Sequence, residues 1–261
     1  MPIHLSAPIR DLSQDEFGEI AYEVMRHVFA IHNELGRFFD ERIYRRELAF
    51  RLPGVRLEQP IDVVFDSFHK RYFLDVLVNG GGIFEFKAVA ALAGRQRAQL
   101  LNYLLLCNVS HGKLINVRTH DVEHEFVNTR WKAVDRTRFV VCLSRWNASA
   151  GAQALPDVLI PLLRDWGAGL ELSLYEEAVT HFLGGLSQVE SEVDVNIDAR
   201  PIGRQRIRLL APGIAFRITS LEGSLDAFET HARRLLQHVN LKAIVWVNIN
   251  IPQVTFITLQ A

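Results

Sequence analysis

Three β-prone runs follow one another in the first half of the chain and set the strongest limit on its fold. They read LEQPIDVVFD, RYFLDVLV and GIFEFKAV, and they begin at Leu57, Arg71 and Gly82. Each run is rich in β-branched and aromatic residues and is bounded by turn-forming residues, a pattern typical of neighbouring strands joined by short turns. The three runs therefore predict a strand meander.

Helical patterns lie on both sides of this meander. Ser13 followed by Glu16 is a capping box in front of apolar residues at helical spacing, and Gly36 is a typical stop. The periodicity predicts helices over about 14 to 34, about 40 to 52 and about 94 to 106, with the strand GKLINV after the third. The order of elements predicts an α/β unit in which helices flank a sheet.

A second α/β segment is predicted from about residue 155, after the stretch NASAGAQALPD, which is rich in small and loop-forming residues. We therefore predict two domains, 1–150 and 155–261. The 261 residues, 49% of them hydrophobic, suffice for a core in each domain.

Charge and cysteine usage exclude several classes of protein. Lys and Arg total 29 against 30 Asp and Glu, so any affinity for nucleic acid must come from a local patch. Cys107 and Cys142 lie far apart among apolar residues, which indicates free thiols in a reducing compartment and excludes a four-cysteine iron–sulfur cluster. No uncharged run approaches the roughly 18 residues of a membrane span, so we predict a cytoplasmic protein with no membrane partner.

Two carboxylates are predicted to meet on the sheet. If the glycines form a hairpin centred near Gly80, Asp75 lies directly opposite Glu85, with Cβ atoms about 5 Å apart. Like charges at that distance repel unless a cation lies between them, and a divalent metal with oxygen ligands is the natural solution. Strand alternation returns Lys87 to the same face as Glu85. The arrangement predicts a metal site with a lysine beside it.

An ordinary half-exposed strand also carries a charged residue at every second position, and the tripeptide Glu85-Phe86-Lys87 alone favours that interpretation. The isolated Asp75 in the apolar run YFLDVLV favours the metal site instead, because that strand is too hydrophobic to be solvated on both faces.

These residues carry a resemblance to a known family. Asp75, the glycine-containing turn and Glu85-Phe86-Lys87 resemble the D…ExK signature of the PD-(D/E)XK nuclease superfamily. The stretch HNELGRFFDERIYRREL is similar to the H-x-x-L-G…E-x-x-Y element of the GxxExxY proteins within it, with Glu41 and Tyr44 on the family's Glu and Tyr. Phe38 departs from the pattern, because the family has a glycine there.

A third match lies in the predicted helix AQLLNYL. Gln99 and Tyr103 stand four residues apart, on one helical face, and resemble the Q-x-x-x-Y arrangement of RecB-like nucleases. The resemblance covers about residues 20 to 125. It implies a restriction-endonuclease-like core in which helices flank a mixed sheet.

The resemblance implies a metal-dependent nuclease that hydrolyses phosphodiester bonds, with DNA preferred to RNA as substrate. The implied catalytic residues are Glu41, Asp75, Glu85, Lys87 and Gln99. The implied ligands of Mg²⁺ or Mn²⁺ are Asp75, Glu85, the backbone carbonyl of Phe86 and Glu41, and the implied contacts to nucleic acid are Tyr103, Arg95 and Arg97. Many nucleases of this superfamily work as dimers, so the resemblance also implies a homodimer or a pseudo-dimer within one chain.

Each of these roles has an ordinary structural alternative. Glu41 could be a solvated helix acid paired with Arg45, four residues on. Gln99 and Tyr103 could form a helix edge, and Arg95 and Arg97 could simply solvate the same helix.

The second half aligns with the first as a degenerate copy. GAGLELSLYEEAVTHFL, from Gly167, aligns with GRFFDERIYRRELAFRL, from Gly36, and places Tyr175 on Tyr44. The functional positions differ: Leu172 stands at Glu41, Arg208 at Asp75, Arg217 at Glu85 and Thr219 at Lys87. We therefore predict a catalytically dead second domain whose Arg208 and Arg217 bind nucleic acid through its phosphates. An unrelated α/β domain with a similar element order remains the alternative.

Two functions of different class follow. The first is a nuclease with one active site in the first half. The second is a non-catalytic nucleic-acid-binding or scaffold protein that retains the nuclease fold, which the near-neutral charge, Phe38 and the altered second half favour.

Overall fold

The computed structural model describes residues 3–148, 151–198 and 200–261 and divides into two compact units, 1–133 and 134–261. Each unit contains a six-stranded mixed sheet with helices packed on it, so the predicted α/β class is confirmed. In the part of the chain that the structure describes, every helix is too short or too polar to span a lipid bilayer.

The first unit follows the predicted element order. Its elements are β1 (Ile3–Leu5), α1 (Gln14–Leu35), α2 (Glu41–Arg51), β2 (Val55–Phe65), β3 (Phe68–Val78), β4 (Gly82–Lys87), α3 (Gly94–Cys107), β5 (His111–Asn116) and β6 (Glu123–Asn128). The strands lie in the order of their numbers, and β4 and β5 are parallel whereas the other neighbours are antiparallel. The three predicted helices and the strand meander are confirmed.

A tight turn sets the register of the β3–β4 hairpin. Asn79 and Gly80 both have positive φ, 49° and 68°, and the N–H of Gly81 donates to the carbonyl of Val78 at 3.1 Å. An Asn-Gly pair suits such a two-residue turn because its twist matches that of the strands. Val76 therefore pairs with Phe84, which confirms the predicted register.

The core of the first unit lies between α1 and the centre of the sheet. The apolar stripe of α1, including Phe17, Val24 and Val28, packs with Phe84 and Phe86 of β4. The rings of Phe17 and Phe84 stack with centroids 5.6 Å apart. Every residue of β4 before its last, Lys87, is buried, so the carboxylate of Glu85 lies inside the protein.

The second unit has its own sheet and helices. After the short helix α4 (Ala133–Arg136), its elements are β7 (Val140–Arg145), α5 (Ala154–Trp166), α6 (Leu172–Phe182), α7 (Leu186–Val189), β8 (Glu190–Ile197), β9 (Arg200–Ala211), β10 (Ile214–Thr219), α8 (Leu225–His238), β11 (Ala243–Ile249) and β12 (Gln253–Gln260). The strand order is β8, β9, β10, β11, β12, β7.

The division between the units lies earlier than the predicted boundary. The sequence predicts that residues 134–150 belong to the first domain, but β7 pairs in parallel with β12, with Val140 opposite Gln253. This pairing places β7 in the second sheet, and the units therefore divide after residue 133.

The second unit repeats the topology of the first. Strands β8 to β12 have the same order as β2 to β6, with the single parallel pair again between the third and fourth strands. The register of that parallel pair is also the same, because Lys87 lies beside Asn116 in the first unit and Thr219 beside Asn248 in the second. The aligned positions of the parallel strands thus occupy equivalent places in their sheets. The alignment of Arg208 with Asp75 is not exact, because a bulge shifts the β9–β10 register by one residue.

A matching pair of tyrosine hydrogen bonds supports the repeat. The hydroxyl of Tyr44 on α2 donates to the carbonyl of Gly36, and that of Tyr175 on α6 donates to the carbonyl of Gly167. In each unit the glycine ends the preceding helix with positive φ and lies eight residues before the tyrosine.

A second matching pair lies at the end of the parallel strands. The side-chain amide of Asn116 bonds both the N–H and the carbonyl of Val89, and that of Asn248 bonds both groups of Leu221. Each asparagine thereby fixes the backbone two residues beyond Lys87 or Thr219. The likeness between the halves therefore extends to individual contacts.

Removing either tyrosine hydroxyl is expected to destabilise its own unit. Tyr44→Phe and Tyr175→Phe each remove one side-chain hydrogen bond, which costs about 1 kcal/mol, and Tyr175→Phe should cost more because the carbonyl of Gly167 is buried whereas Gly36 is exposed. Urea unfolding followed by tryptophan fluorescence and circular dichroism measures the loss. Tyr22→Phe is the control, because Tyr22 is 74% exposed. Equal stability in all three variants would contradict a structural role for the shared bond.

Candidate active site

Asp75 is held at the point where the β3–β4 ladder ends. One carboxylate oxygen accepts a hydrogen bond from the backbone N–H of Phe86 at 2.9 Å. The other accepts one from Nη1 of Arg45 on α2 at 2.6 Å. The Asp75 side chain is 16% exposed, so its carboxylate borders a surface while the atoms that fix it are interior.

Glu85 is the more deeply buried of the two acids. Its side chain is 2% exposed, and Oε1 accepts a hydrogen bond from Nζ of Lys87 at 2.6 Å. The other oxygen, Oε2, is buried and has no hydrogen-bond partner among the described residues. A buried carboxylate oxygen without a partner costs free energy, and such groups mark positions where a ligand or ion can bind.

The pKa values of both acids are raised above their ordinary range, mainly by burial. Burial is the main cause that raises the pKa of Glu85, to about 8, and repulsion by Asp75 adds to it while Lys87 opposes it. Burial also raises the pKa of Asp75, against the opposing effects of Arg45 and the N–H of Phe86. Without a further cation the site therefore favours a protonated Glu85 at neutral pH.

Glu41 lies near enough to contribute to this field. It is the first residue of α2 and is partly buried. Its charge also raises the pKa of Glu85. Its predicted place beside the acids is thus consistent with the electrostatics, although its role as a ligand stays a prediction.

Arg45 has a different partner from the one considered for it. Its spacing allows a pair with Glu41, but Arg45 is buried and bonds Asp75, while its Nη2 lies 3.8 Å from Oε1 of Glu58. The buried face of α2 consists of Tyr44, Arg45 and Leu48. An arginine on an apolar helix face is the signal that could have revealed this buried pair.

Glu58 is an acid of this region that the sequence patterns did not reveal. Its neighbours Leu57 and Gln59 pair with Val76 and Leu74, so Glu58 stands across from Asp75 on β2. Its φ is 51°, a conformation that distorts the strand at this point. Its charge raises the pKa of Asp75. Only the β2–β3 register, which no sequence motif marks, could have placed it here.

The residues present fit a divalent cation held mainly by two carboxylates. Among the described residues, no three side chains of His, Cys, Asp or Glu are grouped to hold a metal. Mg²⁺ nevertheless keeps several waters and is commonly bound through one or two carboxylates together with substrate phosphate. Asp75 and Glu85 meet that requirement, and the unpartnered Oε2 of Glu85 supplies a free acceptor.

Gln99 and Tyr103 bond to each other on α3. Nε2 of Gln99 donates to the Tyr103 hydroxyl at 2.9 Å, and the ring of Tyr103 packs edge-on against Tyr72 of β3 at 6.2 Å. This arrangement ties α3 to the sheet, as a helix edge would. A contact to substrate stays a prediction for both residues.

The two arginines of α3 lie on its surface. Arg95 is exposed. Arg97 forms a bidentate ion pair with Glu125 of β6, in which Nε donates to Oε1 at 2.9 Å and Nη2 donates to Oε2 at 2.6 Å. Exposed pairs of this kind add little stability. Their predicted role as phosphate contacts stays a prediction.

The comparison with family models agrees with this geometry. Residues 18–129 match the model of the PD-(D/E)XK nuclease superfamily, and the matched segment runs from within α1 to just beyond β6. The first half of the chain thus contains a PD-(D/E)XK domain. The searches of curated proteins and of solved structures gave no significant match. Membership of the GxxExxY proteins stays a prediction.

Proposed function

We propose that this protein is a metal-dependent nuclease with one active site, in its first unit, and that DNA is preferred to RNA as substrate. The observation that carries the proposal is the pair formed by the partly buried Asp75 and the buried Glu85, in which one oxygen of Glu85 is unpartnered and the other accepts a hydrogen bond from Lys87. This pair lies within the segment that matches a superfamily of nucleases.

The proposed ligands of Mg²⁺ or Mn²⁺ are Asp75, Glu85, the backbone carbonyl of Phe86 and Glu41. When bound, such an ion polarises the phosphate and lowers the pKa of a bound water. Hydrogen bonds from Arg45 and from the N–H of Phe86 fix the Asp75 carboxylate, while each oxygen keeps a second lone pair for a ligand. The hairpin thereby orients its acids before any ligand arrives.

Lys87 is the proposed group that acts on the reacting atoms. Its bond to Glu85 holds the ammonium in one direction, and the side chain remains 15% exposed. In this position Nζ can orient the attacking water or stabilise charge that develops on the phosphate oxygens. A fixed cation in a largely buried site does this better than a solvated one, because water screens it less.

Helix α3 is the proposed support for the nucleic-acid strand. Gln99 and Tyr103 present a bonded amide and hydroxyl, and Arg95 and Arg97 supply positive charge on the same helix. Contacts of this type position a strand without reading its sequence.

A non-catalytic binding or scaffold protein is the second candidate. The observation that favours it is the ion pair between Arg45 and Asp75, because an arginine already neutralises the carboxylate that a metal would need. Metal binding separates the two candidates. A nuclease must bind the ion at these acids, whereas a scaffold can dispense with it.

The proposed function is tested by cleavage of end-labelled single-stranded DNA, linear and circular double-stranded DNA, and RNA, with Mg²⁺, Mn²⁺ or EDTA. We expect cutting that requires metal and is absent from Asp75→Ala prepared in parallel. Cutting by both proteins would indicate a contaminating nuclease. Failure to cut any of the four substrates would favour the scaffold.

Calorimetry with Mn²⁺ gives an independent result. We expect the wild-type protein to bind Mn²⁺, and Asp75→Ala to lose at least about tenfold in affinity because one of two main carboxylate ligands is gone. Asp62→Ala is the control, since Asp62 on β2 is also bonded to an arginine, Arg71, on the sheet surface. Unchanged Mn²⁺ binding in Asp75→Ala would place the metal elsewhere.

A further inference from the structure

A small cleft opens in the second unit beside Arg217, which occupies the position of Glu85 in the parallel strand pair. Its volume is about 200 Å³. The residues that line it come from α6 and from strands β8 to β10: Glu176, Glu190, Arg206, Ile207, Arg208, Phe216 and Arg217. Three of them are arginines and two are glutamates, so the lining has a positive balance.

The ion pair at this place is reversed in sign between the units. In the first unit Arg45 on α2 bonds Asp75 on β3 at 2.6 Å. In the second unit Glu176 on α6 bonds Arg208 on β9 at 2.8 Å. The helix and strand are equivalent, and the charges have changed places. The link between helix and sheet is therefore kept, while the group presented by the strand has become a cation.

A bulge in β9 accounts for the position of Arg208. The β9–β10 register shifts by one residue between Ile214 and Ala215. Ile207 then packs in the apolar core with residues of α8. On the neighbouring strand β8, Glu190 is the residue opposite Arg208. Arg208 thereby faces α6 and the cleft.

The remaining arginines are available to a ligand. Arg217 occupies the position of Glu85, is exposed, and forms no ion pair with any residue that the structure describes. Arg206 is 72% exposed, and its distances of 3.6 and 3.7 Å to Glu190 and Glu192 are long for hydrogen-bonded pairs. Both guanidinium groups can therefore turn to an anion at little cost.

We propose that this cleft binds phosphate groups of a nucleic-acid strand, with Arg217 and Arg206 as the contacts and Arg208 held in the wall by Glu176. A guanidinium matches the paired oxygens of a phosphate and is weakly hydrated. Because this cleft lacks the acids that would bind a metal ion, its arginines would contact the phosphate without a metal between them. This inference does not depend on cleavage by the first unit.

Binding is measured on the full chain carrying Asp75→Ala, in EDTA, by fluorescence anisotropy of a labelled single-stranded oligonucleotide at several salt concentrations. Arg206→Ala with Arg217→Ala is expected to weaken binding at least about tenfold and to reduce the salt slope by about 1.4, or about 0.7 for each lost contact. The control is Arg204→Ala with Arg233→Ala, which removes the same charge from exposed pairs with Asp194 and Glu229. Its affinity is expected to change less than about twofold.

Calorimetry with inorganic phosphate distinguishes the source of the anion. Oligonucleotide binding lost only in the cleft variant supports the proposal. Equal losses in the cleft and control variants would overturn it in favour of general charge attraction, and unchanged binding in both would also overturn it. If the cleft variant loses inorganic phosphate but keeps the oligonucleotide, the ligand is a small phosphate compound and the proposal is wrong. If the wild-type protein cuts DNA but the cleft variant binds the oligonucleotide with unchanged affinity, the nuclease function stands and this phosphate site is wrong.

Discussion

Asp75→Asn and Lys87→Met are each expected to slow metal-dependent cleavage by at least about a hundredfold to a thousandfold, the range seen when one fixed stabilising group is removed. The two variants should differ in their cause. Asp75→Asn removes a proposed metal ligand and should weaken Mn²⁺ binding. Lys87→Met keeps both acids and the aliphatic stem, so the protein should still bind Mn²⁺ at pH 9 yet cut poorly.

The measurement is single-turnover cleavage of the preferred substrate, with calorimetric titration of Mn²⁺ on the same preparations. Asp62→Asn and Arg71→Met are matched controls, because this surface pair joins β2 and β3 but lies outside the site. Both should cut at the wild-type rate. A Lys87→Met protein with normal cleavage would remove Lys87 from the mechanism, even if Asp75 proved essential.

The acid pair could be predicted from the sequence because its placement depends on local chemistry. The Asn79-Gly80 turn fixes the hairpin register, and strand alternation then places Asp75, Glu85 and Lys87. In the same way, the capping box at Ser13 fixes the start of α1. Such features are contained within a few neighbouring residues.

Other features depend on contacts between distant parts of the chain. Arg45 meets Asp75 only because α2 packs beside the sheet, and Glu58 faces Asp75 only through the β2–β3 register. The unit boundary was misplaced for the same reason, since β7 pairs with β12, more than a hundred residues later. No local pattern encodes these pairings, so sequence reasoning placed the acids without their arginine partner.

Glu85→Gln is expected to stabilise the metal-free protein at alkaline pH. The folded-state pKa of Glu85 is about 8, against an ordinary value of 4.5, so folding takes up a proton between these values. The stability that wild type derives from protonated Glu85 is complete below about pH 4.5 and is lost as pH rises through about 8. Glutamine does not titrate, so the variant should be more stable by up to about 5 kcal/mol at pH 9 and nearly equal to wild type near pH 5.

Urea unfolding in EDTA from pH 5 to pH 9 measures this difference, followed at the transition of the first unit. Glu34→Gln is the control with opposite sign, because the hydrogen bonds from Arg51 lower the pKa of the exposed Glu34 and its carboxylate favours folding above its own pKa. Adding Mn²⁺ at pH 8 should then stabilise wild type but not Glu85→Gln, because the ion replaces the proton on the buried pair. A stability difference that does not change with pH would contradict the raised pKa, and equal stabilisation of both proteins by Mn²⁺ would remove Glu85 from the proposed metal site.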